Sequence, residues 1–328
     1  MKLLVTGGAG YVGSHFVWSA VDAGHEVVVL DNLSTGHAEL LPDIELLQLD
    51  LMNRQGVQSA LVDVRPDAVV HFAALSLVEE SMREPERYLR VNVEGTRNLL
   101  DAMRSASVGR LVVSSSAAVY GAPEVSPVAE DAPLNPLSPY GVSKVRVEEL
   151  VQSRVDAGQL GAVCLRYFNA AGADEQGRTG ERHNPETHLI PRALRAAAGL
   201  GPSLTIYGTD FPTRDGTCVR DYVHVADLAE GHLAALRLLQ TADGSHMFNL
   251  GTGRGHTVRE VLSFASLVVG KPLVAHEQGR RPGDPAVLLA EVGHATRLLG
   301  WKPQRNLMDM LQSAWAWHCG AREERGDV

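Results

Sequence analysis

A doubly wound α/β fold, with a parallel sheet at its centre, is predicted by two features of residues 1–170. Short apolar runs alternate there with segments of helical length, and the first run passes directly into a cluster of glycines. The runs are Leu3-Leu4-Val5, Val27-Val28-Val29-Leu30, residues 46–49, Ala68-Val69-Val70, Leu111-Val112-Val113 and Val163-Cys164-Leu165. Strands that read as continuous apolar runs are covered on both faces, and the chain between them is long enough for the crossover helix that parallel pairing requires. A third observation is that the rhythm stops after Asn169. Residues 172–185 are rich in Gly, Asp, Glu and Arg and form a long polar loop, a kind of segment that is often functional in a compact chain. The expected organisation is a first domain over 1–170 and a second, smaller α/β substrate domain over 171–328. Residues 226–239 have helical character and Met247-Phe248-Asn249-Leu250 reads as a strand, so 226–250 is expected to return to the first sheet. Residues 323–328 read as a frayed tail.

Composition narrows the function classes. A chain of 328 residues with 45% hydrophobic content has ample material for a core. Its formal net charge of -9 argues against a surface that tracks nucleic-acid phosphates, so an anionic ligand would need local cationic clusters. Cys164, Cys218 and Cys319 are far apart and odd in number, without the paired spacing of a disulfide framework or a zinc site. A reducing compartment and no metal are therefore expected. The first strand begins at once after Met1-Lys2, leaving no room for a signal peptide, and no apolar stretch is long enough to span a bilayer. A cytoplasmic protein with no membrane partner is the expectation.

Gly7-Gly8-Ala9-Gly10-Tyr11-Val12-Gly13 lies between the first strand and an amphipathic segment. It satisfies Gly-x-Gly-x-x-Gly through Gly8, Gly10 and Gly13, and Gly-x-x-Gly-x-x-Gly through Gly7, Gly10 and Gly13. Such glycines permit a tight turn and a close backbone approach, so that a pyrophosphate can rest on the helix N-terminus, as in a Rossmann-type fold. An ordinary strand-to-helix turn would carry glycines as well. Asp31 shifts the balance: it ends the second strand, 18 residues past Gly13, where a carboxylate accepts hydrogen bonds from ribose hydroxyls and repels an added 2'-phosphate. NAD is therefore favoured over NADP. Asp50-Leu51 after the third strand is a weaker candidate for the adenine end.

Tyr140 and Lys144 stand four residues apart, on one face of a helix that Ser138-Pro139 would cap. A phenol titrates near ~10, and a neighbouring ammonium, reinforced by the positive nicotinamide ring, would lower it toward a usable base. Tyr-x-x-x-Lys alone is also common as an exposed helix pair. Ser114-Ser115-Ser116 gives it weight, because these serines close the strand that begins at Leu111, and strand carboxyl ends face the ligand crevice of such sheets.

Together these elements resemble the extended short-chain dehydrogenase/reductase family. The stretches Val5 to His15, Leu30-Asp31-Asn32-Leu33, His71-Phe72-Ala73-Ala74, Ser114 to Gly121, Leu165-Arg166-Tyr167-Phe168-Asn169 and Val219-Arg220-Asp221-Tyr222-Val223-His224 are similar to the UDP-galactose 4-epimerases within it, and the likeness runs to Trp317. The resemblance implies Tyr140 as base, Lys144 as its partner and Ser116 as the hydroxyl assisting at the sugar oxygen. It places Tyr11, Val12, Asp31, Asn32, Asp50, Leu51, Phe72, Ala73, Ala74, Asn92 and Phe168 at cofactor positions. Asn169, Leu189, Thr205, Tyr207, Arg220, Arg281 and Asp284 fall at nucleotide-sugar positions, and the arginine forks suit a diphosphate. Ser76 departs from relatives that carry Lys there, and His188 from those with Asn. Leu288 is at a position implied to border the sugar's C2 substituent, where its bulk would disfavour an N-acetyl group.

The implied activity interconverts UDP-galactose and UDP-glucose by transient oxidation at C4, in a homodimer. A UDP-N-acetylhexosamine or UDP-pentose 4-epimerase, a 4,6-dehydratase, a reductase that releases its cofactor and a non-catalytic nucleotide-sensing module are the alternatives. From Asp31, the protein should purify with NAD attached, and stripped protein should recover activity with NAD far better than with NADP. Equal rescue by the two would contradict the role given to this carboxylate.

Overall fold

The computed structural model describes residues 1–281 and 283–323; the remainder of the expected tail, 324–328, lies outside them. Its strands, in chain order, are β1 (Lys2–Thr6), β2 (Glu26–Asp31), β3 (Glu45–Gln48), β4 (Ala68–His71), β5 (Arg110–Ser116), β6 (Gly161–Tyr167), β7 (Asn169–Ala171), β8 (Leu204–Tyr207), β9 (Val219–His224), β10 (Ser245–Leu250), β11 (Gly255–Thr257), β12 (Ala275–Gln278) and β13 (Val287–Leu288). The helices are α1 (Tyr11–Asp22), α2 (Arg54–Val64), α3 (Val78–Arg83), α4 (Pro85–Tyr88), α5 (Gly95–Ser105), α6 (Pro139–Asp156), α7 (Leu189–Ala197), α8 (Val225–Leu238), α9 (Val258–Val269), α10 (Gly293–Leu299) and α11 (Leu307–Glu323).

Seven strands form a parallel sheet in the order β10-β6-β5-β4-β1-β2-β3. The apolar runs form its strands because alternate side chains serve opposite faces. Leu3 and Val5 pack with Phe16 and Val17 of α1 and Leu228 of α8. Leu4 points the other way, toward Val57 and Leu61 of α2, Leu99 of α5 and Val147 of α6. With both faces covered, neither can carry polar residues, which is why the runs are continuous rather than alternating. β10, the late strand at Met247-Phe248-Asn249-Leu250, pairs with β6.

Beyond β6 the chain changes sheets within two residues. Phe168 follows the last residue of β6, and β7 then pairs with β9, whose other neighbours are β11 and β13. A parallel pair, β8 and β12, completes this region, and α7, α9 and α11 share a core with it through Leu194, Val261 and Leu311. Thr257 and Glu260 close a capping box at the start of α9, satisfying two backbone amides that the helix itself leaves free.

Four imidazoles are sealed into this fold in the neutral form. His71 at the end of β4 illustrates how: Thr96 donates its hydroxyl proton to the Asn92 carbonyl (2.6 Å), so it can only accept from His71 Nε2 (2.9 Å), and His71 Nδ1 accepts from the Thr6 hydroxyl (2.7 Å). Burial holds His71 and His224 down at about 3, and His15 and His232 at about 4. Unfolded, each would titrate near ~6.5. Below that pH the unfolded chain binds more protons than the folded one, so stability present at neutral pH is lost as pH falls toward 3–4, by about 1.4 kcal/mol per pH unit for each group. The thermal midpoint should therefore fall steeply from pH 6.5 to 5, as followed by circular dichroism; a flat profile over that range would show that these histidines do not resist protonation.

Candidate active site

The strand order reverses between β1 and β4, and the carboxyl ends of the strands flanking that switch point open on a cleft of about 1300 Å³. Gly7, Gly10, Tyr11, Val12 and Gly13 line it. Gly7 adopts φ +71°, and a methyl group there would meet Ala73 N at 2.4 Å, so β1 and the end of β4 approach more closely than any side chain allows. Gly10 is the N-cap of α1 and no side chain caps this helix, which leaves first-turn amides of the lining residues available to an anion. Asp31 is fixed by two backbone amides, Ala9 N to Oδ2 (3.0 Å) and Leu33 N to Oδ1 (2.9 Å). Burial raises its carboxyl, and those two hydrogen bonds oppose the rise. Asn32 donates to Asp50 at 2.9 Å, and Asn32, Asp50, Leu51, Phe72, Ala73 and Ala74 all line the same cleft.

Asn92 does not line it. It sits in a π-helical turn, Leu89–Glu94, and its amide group is fully employed: Oδ1 accepts from Leu75 N (2.8 Å), while Nδ2 donates to Leu75 O (3.0 Å) and Ser143 Oγ (2.9 Å). Ser143 in turn donates to the Tyr140 carbonyl at 2.7 Å. Asn92 therefore ties a cleft-lining segment to the helix that carries Tyr140, and the π turn is the local distortion that puts it there.

Ser138 caps α6 through Gly141 N (3.1 Å), with Pro139 in the first turn, as the sequence predicts. Ser116, Tyr140 and Lys144 come together in the cleft. Lys144 Nζ donates to the Ser114 carbonyl at 2.8 Å and lies 5.9 Å from the centre of the Tyr140 ring. Burial brings its ammonium down to about 8, against the pull of the Glu148 carboxylate. Burial also raises the Tyr140 phenol, opposed by a hydrogen bond with Ser116. The sequence predicts a phenol lowered by Lys144; among the protein's own groups desolvation is the larger effect, and the ammonium spends its nearest contact on Ser114. One helical turn below, Glu148 receives Arg166 on both oxygens (3.0 and 2.7 Å) and Ser115 Oγ at 2.6 Å.

Phe168, Asn169, Leu189, Tyr207, Arg281 and Asp284 line the other end of the cleft, together with Ser76 and His188. Arg281 lies over the Tyr207 ring at 4.0 Å. Arg220 is drawn back from the lining, donating to Pro285 O (2.8 Å) and to Asp284 Oδ1 (3.2 Å). Thr205 on β8 does not reach the lining. Leu288 packs on the apolar cluster of Val119, Val128 and Phe168 instead of bordering the cleft directly. Pro282, within the arginine motif, lies outside the described residues. Sequence reasoning named Ser114 within the serine run but missed that its carbonyl holds the lysine, and it missed the loop residues His183 and Thr187, which also line the cleft. Only the polar composition of 172–185 hinted at the loop. Among the described residues no helix is long and apolar enough to cross a membrane.

A family model described as NAD dependent epimerase/dehydratase matches residues 3–251. The chain is 45% identical over 319 residues to a UDP-glucose 4-epimerase of Halalkalibacterium halodurans, covering 97% of this chain and 96% of the relative. Among solved structures, it is similar to a UDP-glucose 4-epimerase of Stenotrophomonas maltophila with bound NAD and formylated UDP-arabinopyranose, with TM-score 0.95, 40% identity and 99% of both chains covered. It is also similar to the UDP-Glc/GlcNAc 4-epimerase of Campylobacter jejuni, with TM-score 0.85, 38% identity and 97% and 99% of the two chains covered.

Glu148 and Arg166 are each only 5% exposed, so removing one leaves the other as an uncompensated buried charge. Glu148→Ala should destabilise the fold by about 3–5 kcal/mol, read from urea unfolding. A loss below about 1 kcal/mol would mean that the pair is solvated in solution.

Proposed function

The chain belongs to the NAD dependent epimerase/dehydratase family, and on that premise we propose that it interconverts UDP-galactose and UDP-glucose by transient oxidation at C4 of the sugar. The observation that carries this is the meeting of Ser116, Tyr140 and Lys144 in one cleft with the uncapped N-terminus of α1. Nothing beside C4 of a hexose stabilises a carbanion, so direct proton removal from that carbon is disfavoured and a redox route is needed.

The residues fit NAD. Gly10 offers the diphosphate an uncapped helix terminus, and Asp31, pinned at both oxygens by backbone amides, offers ribose hydroxyls a fixed acceptor and a 2'-phosphate a repulsive charge. When bound, NAD supplies the acceptor for the C4 hydride and returns it. Tyr140 takes the proton of the 4'-hydroxyl and gives it back, Ser116 holds that oxygen by a hydrogen bond, and Lys144 provides positive charge beside the phenol. Arg281 and Arg220 serve the diphosphate of the nucleotide sugar, the latter from behind Asp284. We assign 1–170 with 226–250 to the cofactor and the remainder of 171–328 to the nucleotide sugar. The family resemblance supports a homodimer paired through the helix that carries Tyr140.

A 4,6-dehydratase would need a free acid near C5 and C6. Glu148, the carboxylate beneath this strand end, has both oxygens committed to Arg166 and one also to Ser115. The test is to incubate the purified protein, without added NAD, with UDP-galactose, UDP-glucose and their N-acetyl forms, and to analyse the sugars. Interconversion of the plain hexoses is expected. Tyr140→Phe should retain NAD yet lose about 100-fold or more in rate. A near-normal rate in that variant would remove Tyr140 as the base, and the absence of any turnover in wild type would favour a sensing module.

A further inference from the structure

Glu181, His183, Glu186 and His188 turn their side chains toward one another on the polar loop that leads into α7, with one ligand atom from each lying within 4.8 Å of the others. None of them enters the proton chemistry proposed above. We propose that these four residues form a binding site for a single divalent zinc ion that clips the loop at the mouth of the cleft.

The donor set points to that class of ion. Two imidazoles and two carboxylates suit a borderline metal such as Zn²⁺, whereas Mg²⁺ and Ca²⁺ favour all-oxygen shells. The charge also balances, since one divalent ion neutralises two carboxylates and leaves both imidazoles neutral, the state in which they ligate. Without such an ion the Glu181 and Glu186 carboxylates, each only 6% exposed, rely on the neighbouring histidines: His183 Nδ1 lies 3.0 Å from Glu181 Oε1, His188 Nδ1 shares that oxygen, and Glu186 accepts from His188 N. His188, by contrast, has 46% of its side chain exposed and leaves an ion a way in.

The site is also braced from outside, as a metal site must be. Trp317 Nε1 donates to the Glu181 carbonyl at 3.1 Å, and Gly180 presses its backbone on the Trp317 ring so closely that a methyl group would lie 2.5 Å from it. Arg182 pairs with Glu39 at 2.7 Å, and its carbonyl lies 3.0 Å from His37 Nε2. These contacts hold the backbone on either side of Glu181 while the four ligands face inward. The His183 ring stands edge-on to Tyr11, with centroids 6.0 Å apart, and Tyr11 belongs to the glycine motif. A bound ion would therefore fasten the loop between α1 and α7. Four protein ligands make it a closed, structural site, with no role in bond making.

This inference stands apart from the epimerase assignment and its test needs no turnover. Intact NAD-loaded protein would be equilibrated with zinc chloride, dialysed against metal-free buffer and measured by mass spectrometry, and Co²⁺ would be titrated as a spectroscopic probe. One zinc per chain is expected, together with the intense visible absorption of tetrahedral cobalt. His183→Ala, and the isosteric Glu186→Gln, should each weaken binding by more than about 100-fold, the upper end of what losing an outer partner alone costs. The surface variant His276→Ala should bind as wild type does. Retained NAD and an unchanged circular dichroism spectrum would show that the variants fold. Wild-type protein that holds no stoichiometric metal would overturn the proposal, leaving the cluster as a proton-shared latch. Unchanged binding in Glu186→Gln would also overturn it, by placing the ion elsewhere.

Discussion

A methyl group at Gly13 would lie 2.2 Å from the Gly7 carbonyl oxygen, and one at Gly7 would lie 2.4 Å from the amide nitrogen of Ala73. These two approaches bring the start of α1 against the ends of β1 and β4, and much of the cleft is arranged around that contact. Because the backbones touch, the helix terminus lies at the switch point of the sheet instead of above it. Ala9 can then reach Asp31, and Gly36 packs on Ala9 so tightly that a methyl group there would lie 3.0 Å from it. Phe72 to Ala74 become part of the same wall.

The reacting end depends on a different economy of buried charge. Lys144, Glu148 and Arg166 are all buried, and each is stabilised by a partner that also fixes its position. Lys144 is anchored to the end of β5, while Glu148 and Arg166 lock α6 to β6 through two hydrogen bonds. Arg166 also reaches Tyr120, which donates to Asn249 on β10, so the late strand is bound to the same network. Tyr140 is thereby held on a helix fastened at several points. A rigid mount suits a group that must meet both faces of a turning sugar at one place.

The loop before α7 connects the two ends. It is tied to α1 through Thr179 to Ser14 (2.7 Å) and through Tyr11 to the Gly172 carbonyl (2.6 Å), and it contributes His183, Thr187 and His188 to the cleft. Anything that stiffens this loop acts on the cofactor helix and on the substrate opening together. Phe168 and Asn169, where the chain passes from the large sheet to the small one, form the opposite wall.

The sequence by itself determined the doubly wound sheet, the glycine turn, Asp31 at the end of β2 and the capped start of α6 with Tyr140 and Lys144 on one face, whereas the family resemblance singles out Ser116 from its serine run. The former follow from local rules: a strand covered on two faces must be apolar throughout, a close backbone approach needs glycine, and residues four apart share a helix face. Only the tertiary structure decided that Asn92 would spend its amide on Leu75 and Ser143, that Arg220 would turn to Asp284, and that four loop side chains would converge. It also decided that burial, more than Lys144, governs the Tyr140 phenol in the protein's own environment. Hydrogen-bond partners and desolvation depend on segments far apart in the chain, such as Leu75 and Ser143, whose meeting no local pattern records.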